Sequence, residues 1–247
     1  MILWKALLLV YGCLDLRRSE PEVGKGRLLL SEQEIEDGLR SFSSLPALVA
    51  ELSEGEAALR HQVVPVERCL DSLTPMGDGL RWPSPSDIRV ELDLLAERGR
   101  YDSVFVLWPQ NDPRTGATVT SGGWGLAIDA SDWTNGATYA TVANASSAVW
   151  SEPVRNEVWL HEWLHGVCDH YRRGGYEMPP GDADGGERAG YRREPGMGWS
   201  GYYRDLMTGR VLVGSRRLGI TAEAWRSGST RSVVVSGSPP PEAPGTA

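Results

Sequence analysis

Hydrophobic positions along the chain follow two rhythms, and each stretch declares its element by the one it keeps. Residues 2–11, ILWKALLLVY, form a nearly unbroken apolar run carrying one charge, Lys5. Such a run fits a strand buried on both faces, and it also has the outline of a secretory leader. Its only basic residue is Lys5 and no small-residue cleavage site follows; VYGC, ending at Cys13, is weakly lipoprotein-like, with Tyr11 a poor fit. The strand is the preferred reading, because the sheet inferred below needs it. Ser31-Glu32-Gln33-Glu34 has the form of a capping box. Ile35, Leu39, Phe42, Leu45, Leu48, Val49 and Leu52 then recur at helical spacing. Residues 61–70, HQVVPVERCL, predict a second strand, with Pro65 marking an edge or a bulge. Residues 86–98 predict a helix capped by Ser86, with Ile88, Leu92 and Leu95 on its apolar side. Residues 101–109, YDSVFVLWP, are the clearest strand, and residues 122–128 and 137–146 are weaker ones. A long helix is predicted over 152–173, opened by Ser151 with Pro153 in its first turn and closed by Gly174-Gly175. Two short helices, over 199–209 and 221–226, follow a loop rich in Gly and Pro.

Strand, helix, strand, helix, then three strands and a helix imply an α/β (α+β) fold, a mixed twisted sheet with helices packed on it. Without a strand at the N-terminus that layer lacks a member. Residues 1–235 are expected to form one domain, and 236–247, SGSPPPEAPGTA, a disordered tail. The formal charge of −8 disfavours nucleic acid and anionic membrane as partners. No later run is apolar enough to span a bilayer, so a soluble protein, acting as a monomer, is expected. Ten Trp against two Phe point chiefly to Trp filling the core, with Trp108, Trp124 and Trp163 as candidates for lining a groove. Cys13, Cys69 and Cys168 are too few for a disulfide framework, although one pair could form.

The chemistry is concentrated in VWLHEWLHGVCDHYRRGG, residues 158–175, which holds three of the four histidines. His161-Glu162-Trp163-Leu164-His165 is an HExxH motif. Residues four apart on an α-helix differ by about 40° around its axis, so both imidazoles leave one face, one turn apart. That spacing lets two imidazole nitrogens share one tetrahedral Zn²⁺. Glu162 sits about 100° further round, where it can act as general base toward water activated by the metal.

These residues resemble the HExxH zinc metallopeptidases, and more narrowly the metzincin-like ones. The resemblance rests on HEWLH and on the inferred order of elements over roughly residues 5–210. It implies a zincin-like fold with a βαβαββ layer ahead of the active-site helix, and hydrolysis of peptide bonds. It also implies an extended peptide or protein substrate paired along an edge strand, here Gly123 to Ile128. The chain departs from the family beyond the motif. Metzincins continue HExxHxxGxxH or HExxHxxGxxD, whereas the glycine position here is Cys168, the ligand position is Tyr171, and His170 falls one place short. On an unbroken helix His170 points about 180° from His161. It is therefore expected to face solvent, its charge suited to the helix C-terminus.

A third ligand must come from beyond the helix. GDADGGERAGY, residues 181–191, offers Asp182, Asp184 and Glu187. Asp184 is favoured, in part for a faint likeness to HExxH proteins with an H/D-rich step before a Gly-Tyr pair such as Gly190-Tyr191. Glu187, Asp182 and His170 stay open as alternatives, Glu187 because thermolysin-like enzymes take a later glutamate. The metal set expected is His161, His165 and Asp184 around one Zn²⁺, with Glu162 catalytic. Tyr191 or Tyr176 is a candidate oxyanion donor, Met207 a candidate for the floor of the metal, and Asn144-Ala145-Ser146 a glycosylation acceptor in a secreted eukaryotic chain. A catalytically silent binding protein of the same fold, and a zinc hydrolase of a non-peptide substrate, are the rival readings.

Overall fold

The run from Ile2 to Tyr11 forms one strand, β1, and its successive side chains enter two different cores. Trp4, Ala6, Leu8 and Val10 point to one face, while Leu7, Leu9 and Tyr11 point to the other. Both faces are covered, so the alternation disappears from the sequence and a continuous apolar run remains. The computed structural model of the chain describes residues 1–17, 26–144 and 157–231. The expected tail at 236–247, and the helix-opening residues Ser151 and Pro153, lie outside the described residues.

β1 is an interior strand of a five-stranded sheet that also contains β2 (Ala57–Val66), β3 (Ser103–Trp108), β4 (Gly125–Ile128) and β5 (Thr138–Ala143). The order across the sheet is β4-β5-β3-β1-β2. Neighbours run parallel except β4, which pairs antiparallel with β5, Gly125 opposite Val142 and Ile128 opposite Tyr139. The fold is thus mixed α/β with a mostly parallel sheet. β2 lies at the opposite edge and begins earlier than predicted, so Pro65 falls on an edge strand, where proline is tolerated.

One face of the sheet carries α1 (Glu32–Ser43), α2 (Leu45–Leu52), α4 (Glu157–Arg173), α5 (Ser200–Met207) and α6 (Ala222–Ser227). The other face is covered by α3 (Arg89–Leu95) and the loops around it. The capping box forms as read, the Glu34 amide donating to Ser31 Oγ at 3.2 Å and the Ser31 amide to Glu34 Oε2 at 2.8 Å. The helical periodicity after it belongs to two helices, because Pro46 lacks the N–H needed to continue the ladder and is tolerated in the first turn of a new helix. α3 is shorter than predicted and Ser86 does not cap it; the Ser86 hydroxyl instead accepts from Trp133 Nε1 at 2.9 Å.

Cys13 is disulfide-bonded to Cys69, so one pair forms as the sequence allowed, while Cys168 is buried and free. Asn144 is also withdrawn from its candidate role. It is buried, its Oδ1 accepts the amides of Gln110 and Asn111, and its Nδ2 donates to Glu34 and to the Asn111 carbonyl. Among the described residues no helix is long and apolar enough to cross a membrane.

α4 crosses the sheet with almost no gap. A Cβ added at Gly166 would lie 2.6 Å from Thr138 Cβ. Trp163 Nε1 also donates to Ser103 Oγ at 3.1 Å and stacks on Trp225, so Trp163 is a core residue rather than a groove wall. Trp108 is buried too, in the core on the other face. We expect Gly166→Val to lower stability by about 1–3 kcal/mol through overpacking, read as a shift in the denaturation midpoint. An unchanged midpoint would mean that the helix sits further from the sheet.

Candidate metal centre and active site

α4 positions the motif because its apolar side is committed to the sheet. Trp159, Leu160, Trp163, Leu164 and Val167 are buried there, which turns His161 and His165 the other way. Gly174 and Gly175 end the helix as predicted. Gly175 has a φ of +90°, and the Tyr176 amide returns to the Tyr171 carbonyl at 3.0 Å, the pattern of a Schellman cap.

The structure brings His161, His165 and Asp184 together, with donor atoms all within 4.8 Å of one another. Nε2 of His161 and Nε2 of His165 are 3.2 Å apart. Asp184 Oδ1 lies 3.4 Å from His161 Nε2, and Asp184 Oδ2 lies 3.7 Å from His165 Nε2. Bonds of about 2.0–2.1 Å in a tetrahedron place neighbouring donors about 3.3–3.4 Å apart, so these separations suit one small cation.

The remaining ring nitrogens are engaged. His165 Nδ1 is 2.6 Å from Asp182 Oδ1, and His161 Nδ1 is 2.9 Å from the Tyr203 hydroxyl. Both partners hold the rings so that Nε2 faces the shared point. Burial works against a charged His165, but the hydrogen bond and charge of Asp182 outweigh it and raise the imidazole above its usual value. Burial likewise opposes ionisation of Asp182, yet His165 and Arg172 bring its carboxyl down to about 2. The hydrogen bond from His161 lowers Asp184 as well.

Glu162 is 7% exposed and lies beneath the edge strand. A Cβ at Gly125 would fall 2.4 Å from Glu162 Oε1, so only glycine at the start of β4 leaves room for this carboxylate. Burial raises its pKa; the two histidines act in the opposite direction and Asp184 adds to the rise. Glu162 and His161 open onto a cavity of about 370 Å³ walled by Trp124, Val158, Trp199 and Tyr203. Of the three candidate groove tryptophans, Trp124 alone lines this space, 41% exposed. A larger cavity of about 760 Å³ lies beside His170 and Tyr176 and contains none of His161, Glu162 and His165. Its size gives it no part in this chemistry.

Several other candidates are placed elsewhere. His170 does not face solvent: it is half-buried, its ring meets Trp4 edge-on at 5.8 Å between centroids, and burial lowers its pKa. The expected solvent-facing role at the helix terminus is therefore corrected to packing against Trp4. Glu187 is exposed and stands outside the metal group, and Asp182 backs a histidine rather than joining the group. Tyr191 donates to Asp205 at 2.5 Å and Tyr176 packs on Tyr171, so neither supplies a donor at the site. Met207 is a fully buried core residue. Sequence reasoning missed Tyr203 and Gly125. The only trace of Tyr203 in the sequence was a pair of tyrosines in a short helix after the acidic loop.

No family model matches the chain. No curated protein matches it either. A solved structure described as "Structure of a chaperone-substrate complex" aligns with a TM-score of 0.36 and 19% identity, covering 67% of this chain and 26% of that one. The chain thus spans about a quarter of that protein's length.

Proposed function

We propose that the protein is a zinc-dependent metallopeptidase of zincin type. The observation that carries this reading is the convergence of His161 Nε2, His165 Nε2 and the Asp184 carboxylate, with separations of 3.2, 3.4 and 3.7 Å, beside the buried Glu162. Two imidazoles and one carboxylate leave a fourth tetrahedral position open, the donor set of a catalytic rather than a structural zinc. When bound, zinc supplies Lewis-acid activation of water and of a substrate carbonyl. With zinc bound, Glu162 would take a proton from water on its carboxylate and return it to the leaving amine. Gly125 keeps the carboxylate against the strand and limits its access to bulk water. Asp182 and Tyr203 hold the two imidazoles. Among the described residues no strand pairs with the outer side of β4, so an extended peptide can add to it as a further strand running past Glu162.

Hydrolysis of a mixed peptide library tests this reading. We expect cleavage that stops when a chelator strips the metal and returns when zinc is restored. A zinc-loaded chain that leaves every peptide intact would favour the silent binder, and turnover confined to non-peptide amides or esters would favour the other hydrolase.

A further inference from the structure

The two imidazoles are held from behind by unlike groups. An ionised carboxylate can only accept a hydrogen bond, so Asp182 fixes the proton of the neutral His165 imidazole on Nδ1 and leaves its Nε2 lone pair free. A hydroxyl can either donate or accept, so Tyr203 alone leaves the tautomer of His161 open.

Asp182 is itself held in place from several sides. Its second oxygen accepts from Arg172 Nη2 at 2.9 Å, Oδ1 also accepts the Ala183 amide at 2.8 Å, and its carbonyl accepts the Tyr202 hydroxyl. Its φ is +35°, a conformation that a residue with a side chain seldom adopts unless its surroundings impose it. The same 3-10 turn, Asp182–Asp184, carries the candidate third ligand at its other end. A Cβ at Gly185 would meet the Tyr202 hydroxyl at 2.5 Å and the Pro180 carbonyl at 2.7 Å, so the turn is pressed against α5 with no slack.

We propose that Asp182 is the main positioning residue of the metal centre: it fixes the tautomer of His165 and, through the short turn it anchors, the place of Asp184. Tyr203 performs a weaker, uncharged version of the first task for His161. A charged acceptor makes the stronger hydrogen bond, so the two contributions are unequal. The inference rests on the metal reading above.

Zinc dissociation constants, measured by competition with a chromophoric chelator, test it on the wild type, D182A, D182N and Y203F, each also melted without metal to check folding. D182A should bind zinc about 10–100-fold more weakly. D182N, which still offers Nδ1–H an oxygen but no charge, should recover part of that loss, a rescue that a bare packing role would not give. Y203F should lose less than D182A. A D182A constant within twofold of wild type would overturn the proposal, as would a larger loss in Y203F. Should D182A fail to melt cooperatively, D182N decides: weaker binding supports the proposal and wild-type binding overturns it. A wild type that binds no zinc removes the metal reading and this inference together. A zinc-binding wild type matched by its Asp182 variants removes this inference alone.

Discussion

Replacing Glu162 with glutamine should abolish nearly all peptide turnover while leaving one zinc per chain. The amide keeps the size of the carboxylate, so it fits against Gly125 as Glu162 does. It cannot take a proton from water, and loss of a general base costs about 100- to 10,000-fold in rate. Zinc content should be unchanged, since the metal group is His161, His165 and Asp184. Stability should not fall either, because burial already disfavours the Glu162 carboxylate and an amide avoids that cost. Steady-state hydrolysis, elemental analysis and a melting curve on one preparation read all three. A variant that cleaves at the wild-type rate would show that another group is the base.

Asp102→Ala should destabilise the chain by about 3–5 kcal/mol, the usual cost of removing one partner from a buried ion pair. Asp102 is fully buried. It accepts the Lys5 amide at 2.7 Å, the Arg231 amide at 2.9 Å, Arg231 Nε at 2.6 Å and the Thr230 hydroxyl at 3.2 Å. One carboxylate thus ties the segment at Thr230-Arg231 to β1, just ahead of β3. Alanine would take the charge partner from a guanidinium that keeps its bond to the Leu3 carbonyl, and would leave the amides of Lys5 and Arg231 without their acceptor. Arg231→Ala should cost less, because the backbone amides of Lys5 and Arg231 would still satisfy the carboxylate. Chemical denaturation of both variants checks the order. If Arg231→Ala proved the more damaging, the guanidinium rather than the amides would be the main support of Asp102.

What the sequence made legible was local. His161 and His165 are four residues apart on a helix, and helical geometry alone puts them on one face. The capping box at Ser31 and the glycine stop after Arg173 are equally short-range, and both form as read. Asp184 was reachable because a Gly- and Pro-rich loop so soon after the helix stop can turn back only toward nearby surfaces. The features that stayed hidden depend on the sheet. Tyr203 meets His161 from 42 residues downstream, and Gly125 meets Glu162 only because β4 joins the sheet antiparallel beside β5. His170 read as solvent-facing because nothing near it in sequence reveals that Trp4 of β1 packs on its ring. Pro46 was visible, yet the apolar periodicity ran through it, and a helix boundary was missed where the backbone donor disappears.

Three side chains, two from α4 and one from the turn after it, are proposed to bind one metal ion. Zinc per chain, measured by elemental analysis after dialysis, tests this most directly on the wild type, His165→Ala and Asp184→Ala. One zinc is expected in the wild type, essentially none in His165→Ala and a large loss in Asp184→Ala, with all three proteins folded. A wild type free of zinc after exposure to it, or a folded His165→Ala that still retains one full equivalent, would contradict it.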